Sequence, residues 1–155
     1  MASVTTDFSA RGKVIGVEPG WIVFQPSNTN YEWRLTAPAA GGWSGARNKP
    51  VELVIRAAAR KVYTVPTGGN FVQPIFGPPR IVQGRVKHVD GNTIVVHAAV
   101  PFVVTLPQAD SGIDLNAGAI QVGQMVNVTI VPEATFEQLE VVAQGQDSTL
   151  GTKPA

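Results

Sequence analysis

Hydrophobic residues of this chain recur at every second position over short segments, a period that predicts half-buried β-strands. Residues 31–35 and 51–55 show this alternation most clearly. The turn sequences Glu18-Pro19-Gly20 and Asp90-Gly91-Asn92 separate apolar runs and predict tight hairpin turns. The pattern therefore predicts an all-β fold of short strands.

The same pattern of strands and turns occurs twice along the chain. Segments that begin at Gly12 and Gly84 match at an offset of 72 residues, the third strands match at 71, and the segments from Val51 and Val126 match at 75. Loop insertions produce small changes of offset of this kind. Four or five such strands usually close into a small barrel, since closure removes exposed sheet edges. We therefore expect two tandem small barrels of OB-like type, related by an internal repeat.

The repeat and the loop composition predict four regions. The first barrel is expected over residues 1–64, a Pro/Gly-rich linker over 65–80, the second barrel over 81–144, and a disordered tail over 145–155. Within the second barrel, residues 135–142 are compatible with a short helix or a strand, and we favour a strand by analogy with residues 61–65.

The linker combines residues that oppose regular structure with apolar residues that oppose exposure. Its prolines and glycines predict an irregular path. Phe71, Ile75 and Phe76 are costly to leave in water, so we expect the linker to pack across the two units.

Composition narrows the class of protein. Apolar residues make up 44% of the chain, enough for a core, whereas charged residues make up 15%, below the usual share in soluble domains. The absence of cysteine excludes disulfides and thiolate metal sites. Since neither a signal sequence nor an apolar run of membrane length is visible, we expect a cytoplasmic protein without a membrane partner.

Charge is distributed unevenly between the two halves. Residues 1–80 carry nine Lys or Arg against four Asp or Glu, a net charge of +5, and residues 81–155 carry three against seven, a net charge of −4. Opposed charges can attract the halves within one chain or between neighbouring chains, and they can also set up a face that attracts anions.

Residues that carry chemistry do not assemble into a recognisable active site. His88 and His97 lack the spacing of metal ligands, and Asp110 and Asp114 fall short of a calcium loop. The serines in Gly-bearing loops lack the G-x-S-x-G pattern of a nucleophile elbow. We therefore expect no enzyme activity, no metal and no cofactor.

Aromatic and basic residues offer two interpretations. Trp21, Trp33, Trp43 and Tyr31 resemble a base-stacking platform with a basic rim of Arg11, Arg34 and Arg47, although Trp33 and Tyr31 occupy the predicted core face. Trp43 lies in a Gly-rich loop that the second copy lacks, where an exposed tryptophan commonly anchors a protein contact. Trp43 and Arg47 are therefore the predicted interaction residues.

Ser9-Ala10-Arg11 stands before the first strand of the first unit, and Val54-Ile55-Arg56-Ala57 lies in its fourth strand. In the second unit, residues 122–133 contain a Gly-led strand that ends near Pro-Glu. These runs are similar to the opening Ser-Ala-Arg run, the closing strand and the common TOBE pattern of the Mop/TOBE family of small β-barrels, which the first unit resembles. Those modules bind molybdate, tungstate or similar ligands. The resemblance implies that Ser9, Arg11 and Arg56 face an oxyanion.

Three functions are compatible with these observations. The first is a non-catalytic interaction or self-assembly protein, which forms a homo-oligomer or binds a protein partner through Trp43. The second is binding of a small oxyanion of the molybdate or tungstate type. The third is a nucleic-acid-binding module of OB type, which the modest net charge favours least.

Overall fold

The computed structural model describes residues 8–37, 48–106, 120–131 and 133–138. These ranges contain eleven strands and no helix, so the prediction of an all-β protein is confirmed. The predicted tail at 145–155 lies outside them. The strands are β1 (Ala10–Glu18), β2 (Trp21–Pro26), β3 (Glu32–Thr36), β4 (Pro50–Thr64), β5 (Phe71–Gln73), β6 (Phe76–Gly77), β7 (Ile81–Asp90), β8 (Thr93–Ala98), β9 (Val100–Thr105), β10 (Met125–Ile130) and β11 (Thr135–Gln138).

All eleven strands belong to one mixed sheet. Neighbours follow the order β1-β2-β3-β11-β4-β10-β7-β8-β9, while β5 pairs with β7 and β6 pairs with β3. Both β1 and β9 also pair with β4. The sheet is therefore not an evenly closed barrel, because one long strand takes neighbours from both halves of the chain.

That long strand, β4, connects the two halves. Its first part pairs with β1 and with β11, the last described strand, whereas its last part pairs with β10. The last part of β4 thus joins the strands of the second half, and β11 joins the strands of the first half. The strand expected from residue 135 is confirmed for Thr135–Gln138. The division into 1–64 and 81–144 stays a prediction.

The hairpins β1–β2 and β7–β8 have the same design. Each closes through a two-residue turn, Pro19-Gly20 in the first and Gly91-Asn92 in the second. The register shifts once in each hairpin, after Val14 in β1 and after Val86 in β7, and leaves one bulged residue. The two bulges lie 72 residues apart, the same offset that relates the two segments in sequence.

Glycine is required at one position in each of these hairpins. A Cβ atom on Gly12 would overlap the backbone carbonyl oxygen of Gln25, and a Cβ atom on Gly84 would overlap that of His97. Both glycines are buried. The facing strand approaches so closely at both places that no side chain fits.

The third strands correct the alignment drawn from sequence. Trp33 pairs with Phe24 in the first half, and Phe102 pairs with Val96 in the second, so Trp33 corresponds to Phe102 at an offset of 69. The offset of 71 was wrong by two residues because the loop before β3 is longer than the loop before β9. A shift of two residues keeps the same face of a strand, so the predicted core face was still correct.

The linker 65–80 is more regular than expected. β5 pairs with β7 and β6 pairs with β3, so the segment touches strands of both halves through its backbone. The Val72 N–H donates to the Tyr31 hydroxyl at 3.2 Å. The expected burial of Ile75 and Phe76 was wrong, because these side chains are 53% and 64% exposed. Backbone pairing, rather than burial of those two side chains, holds this part of the linker.

One hydrophobic core extends through both halves. Its largest fully buried side chains include Trp33 and Phe24 from the first half and Phe102 and Phe136 from the second. The rings of Trp33 and Phe102 lie 5.2 Å apart. The two halves therefore share one core, in which the corresponding aromatic residues of the third strands meet.

Candidate anion-binding site

Two of the residues predicted to face an oxyanion already contact a carboxylate. Arg11 on β1 lies opposite Glu52 on β4, and its Nε donates to Glu52 Oε2 at 3.0 Å. The Ser9 hydroxyl donates to Glu52 Oε1 at 3.0 Å. The structure therefore brings Ser9 and Arg11 together, with the carboxylate of Glu52 in the place of an external anion.

Arg56, the third predicted residue, lies apart from that pair. It is four residues beyond Glu52 on β4, a distance of roughly 13 Å along an extended strand. Its Nε donates to Glu137 Oε1 of β11 at 3.0 Å. This ion pair joins the basic first half to the acidic second half, so the opposed charges of the halves meet within one chain at this point.

The described aromatic residues of the predicted stacking platform do not lie together on one open surface. Trp33 is fully buried, and the ring of Tyr31 packs against it at 4.9 Å. Trp21 is half-buried, and the Arg34 guanidinium lies 5.3 Å from the centre of its ring. The predicted interaction residues Trp43 and Arg47 lie outside the described residues.

A cleft of about 690 Å³ lies where the chain crosses between its two halves. We call it the arginine cleft, because three of its lining residues are arginines from distant parts of the chain. Its lining residues are Gly20, Trp21, Arg34, Thr36, Arg60, Pro78, Pro79, Arg80, Ile81, Thr129, Ile130 and Glu133.

Strand geometry places the first arginine in the cleft. Trp33 and Leu35 face the core of the sheet, so Arg34 between them points outward and is exposed. It pairs with Val23, which puts Trp21 on the diagonal position of the neighbouring strand. Long and aromatic side chains reach each other across such a diagonal, which explains the contact between Arg34 and Trp21.

A β-bulge places the second arginine. The pairing of β4 with β10 passes from Lys61 opposite Thr129 to Ala59 opposite Ile130, so Arg60 is left without a partner in the ladder. Bulges of this kind re-aim a side chain and are common beside functional sites. Arg60 is exposed and lines the cleft at the point where β4 passes from one half to the other.

Backbone hydrogen bonds fix the third arginine at the end of the linker. The Arg80 N–H donates to the carbonyl oxygen of Gln73 at 2.8 Å, and the Arg80 carbonyl oxygen accepts from the Ile130 N–H at 2.9 Å. Ala134, just before β11, accepts a hydrogen bond at its carbonyl oxygen from the Thr36 N–H of β3. β4 at Arg60, the end of the linker at Arg80 and the residues before β11 at Glu133 therefore all border this cleft.

The arginine cleft carries a net positive charge. Its lining holds three guanidinium groups and one carboxylate, Glu133. Within the described part of the chain, both ion pairs involve other arginines, Arg11 and Arg56, and none involves these three. A guanidinium group presents a planar fork of donors that matches the oxygens of phosphate or carboxylate. The arrangement is suited to binding an anionic group.

Sequence reasoning did not find this site. It singled out Arg34 as one arginine near a stacking platform, whereas Arg60 and Arg80 entered only the charge count. The positive excess of residues 1–80 was the available signal, and it shows neither where those arginines lie nor that they meet.

The two histidines lie in different surroundings. The described residues contain no group of three or more His, Cys, Asp or Glu side chains placed to hold an ion. His88 packs against the ring of Phe8 at 5.5 Å. Burial lowers the pKa of the His97 imidazole below its ordinary value, and the positive charge of Lys87 lowers this pKa further.

Comparison with known proteins adds no assignment to this geometry. No model of a known protein family matches the chain, and none of the curated proteins matches it either. Among the described residues there is no helix with the length and hydropathy of a membrane-spanning segment.

Proposed function

We propose that this protein is a non-catalytic binding protein whose arginine cleft holds an anionic group of its ligand or partner. The observation that carries the proposal is the convergence of Arg34, Arg60 and Arg80 on one cleft, without a protein carboxylate paired to any of them among the described residues. A phosphate, sulfate or carboxylate group fits this donor set. The partner class includes small ligands and proteins, a second copy of this chain among them.

We also propose that the strands form two small barrels of OB or TOBE type that share β4 and exchange their last strands. The pairings of β1 with β4 and of β9 with β4 support this, because they close two rows of paired strands. One row runs β4-β1-β2-β3-β11-β4 and the other runs β4-β10-β7-β8-β9-β4. The equal position of the bulges in both hairpins supports it as well. The arginine cleft would then lie at the junction of the two barrels.

The cleft is favoured over the Ser9, Arg11 and Arg56 positions because of what each set of residues contacts. An oxyanion at Ser9 and Arg11 has to displace Glu52, and one at Arg56 has to displace Glu137. Displacement leaves a carboxylate beside a second anion, which is unfavourable. In the cleft, the single carboxylate Glu133 is outnumbered by three guanidinium groups.

Thermal unfolding in the presence of inorganic diphosphate tests this proposal. A ligand that prefers the native state raises its melting temperature, and we expect a rise of about 4 °C at ten times Kd in low salt. Arg60→Gln should remove the rise, because it deletes one of the three guanidinium groups.

Lys61→Gln is the matched control for that variant. It removes the same charge from the adjacent, exposed residue, which does not line the cleft. We expect Lys61→Gln to keep the rise in melting temperature. If both variants lose the rise in melting temperature equally, the rise depends on net charge alone and the cleft is not a specific site.

A further inference from the structure

We infer that the arginine cleft takes a phosphate ester that carries a planar ring, of the nucleoside diphosphate class. The inference rests on the proposed function and assigns the chemistry of its ligand. It comes from the other lining residues of the cleft, which an inorganic anion would leave unused.

Two lining residues of the cleft, Trp21 and Arg34, offer a surface on which a ring can stack. Trp21 follows the turn residue Gly20 and is half-buried, and Arg34 lies over its ring at 5.3 Å. Indole rings and guanidinium planes both stack on flat π-systems. Both groups are held by the same pair of strands, so the stacking surface exists before a ligand arrives.

Two other lining residues, Arg60 and Arg80, offer the phosphate-binding groups. Arg60 is aimed by its bulge, and Arg80 is held through its backbone to Gln73 and Ile130. These two residues lie on different segments, β4 and the end of the linker. Two forks held on different segments suit a group with several oxygens, such as a diphosphate, better than a single carboxylate.

Size and polarity agree with a ligand larger than an inorganic ion. The volume of about 690 Å³ falls within the range of small-molecule sites, roughly 300–1,000 Å³. Pro78, Pro79 and Ile130 add apolar surface to the lining. A ring with a charged tail uses both kinds of surface, whereas a bare anion uses only the charged part.

The test is isothermal titration calorimetry of the full chain with adenosine diphosphate, inorganic diphosphate and adenosine in low salt. We expect adenosine diphosphate to bind roughly tenfold more tightly than inorganic diphosphate, the gain typical of stacking one base. Trp21→Leu should remove that gain and should change the affinity for inorganic diphosphate much less, because Arg60 and Arg80 stay in place. Trp21→Phe keeps a ring and should retain most of the gain.

Two further variants separate the ring from the charge. Arg60→Gln should weaken binding of both diphosphates by roughly tenfold, the effect of losing a charge-assisted hydrogen bond. Tyr63→Leu removes an exposed aromatic ring that does not line the cleft and should change neither affinity. Melting curves of all variants without ligand show whether they are folded.

The outcomes distinguish this inference from the function on which it rests. Equal affinities for the two diphosphates would overturn the inference and leave the anion-binding function standing. If neither diphosphate binds, both are wrong. A short single-stranded oligonucleotide that binds more tightly than adenosine diphosphate would also overturn the inference, because the cleft would then belong to a polymer site.

Discussion

The first three strands of the chain and strands β7–β9 have the same backbone plan but different outer faces. Their inner faces match: Phe24 pairs with Trp33, and Val96 pairs with Phe102. On the outer face, the position of Arg34 corresponds to Val103, since Arg34 pairs with Val23 and Val103 pairs with Val95.

The difference between Arg34 and Val103 determines which outer face places a cationic side chain in a cleft. Arg34 is exposed and lines the arginine cleft, whereas Val103 is buried in a small cluster with Val54 and Val95, against which Phe8 packs. Backbone requirements therefore fix the inner faces and the close-approach glycines in both halves. The outer faces carry the features that differ, and the proposed site lies on the first of them.

The largest expected effect concerns what the two regions share. Gly12→Ala and Gly84→Ala should each lower the free energy of unfolding by about 3 kcal/mol, because the added methyl overlaps a backbone carbonyl of the facing strand. Urea unfolding measures both. Gly69→Ala is the control, since a Cβ there meets nothing within 4 Å. A tolerated alanine in either hairpin would break the equivalence of the two backbones.

The next effect exchanges the outer residues of the two regions. Val103→Arg should lower the free energy of unfolding by about 3 kcal/mol or more, because it places an unpaired charge at a site that is 2% exposed. Arg34→Val should change stability by about 1 kcal/mol or less, since the residue is exposed and loses mainly its contact with Trp21.

Of these two variants, Arg34→Val is the one that should affect binding. Arg34→Val should weaken binding of diphosphate, since it removes a guanidinium group from the cleft, although it hardly changes stability. If Val103→Arg is as stable as the wild type, Val103 is not buried in the cluster with Val54 and Val95. If Arg34→Val binds diphosphate as the wild type does, Arg34 has no role in the cleft.

The smallest effect uses a titratable residue that one region has and the other lacks. His97 corresponds to Gln25 at the offset of 72, and burial together with Lys87 lowers the pKa of His97 below its ordinary value of 6.5. The unfolded chain then binds a proton more readily than the folded chain. The stabilising effect of neutral His97 is complete above that value and is lost as the pH falls through the lowered pKa.

His97→Gln, which introduces the residue of the first region, should therefore reduce the loss of stability on acidification. Urea unfolding between about pH 5 and pH 8 measures this loss, and the range covers the ordinary pKa of histidine. Identical pH dependence in wild type and variant would show that His97 does not contribute to acid sensitivity.

Much of the sheet could be predicted from sequence, because local signals specify it. Alternation located most of the longer strands, and the Gly-containing turns located both hairpins. The path of β4 could not be predicted in this way. Its residues look like two successive short strands, and they form one strand of 15 residues because partners from both halves pair along it.

The candidate site depends on the same long-range pairing. Arg60 is aimed by a bulge that forms because its neighbours Lys61 and Ala59 pair with Thr129 and Ile130, about 70 residues further along the chain. Likewise, Glu52 and Glu137 could not be assigned to Arg11 and Arg56 before the strand order was known. Sequence reasoning therefore named arginines with the right chemistry but could not tell that Arg11 and Arg56 pair with carboxylates.

An NMR titration of the ¹⁵N-labelled protein with inorganic diphosphate tests the central claim most directly, because it shows which arginines meet the anion. The account predicts that the largest amide shifts cluster around the arginine cleft, at Gly20, Arg60 and Arg80, and that they saturate together. Shifts confined to Ser9, Arg11 and Arg56, with none in the cleft, would contradict it.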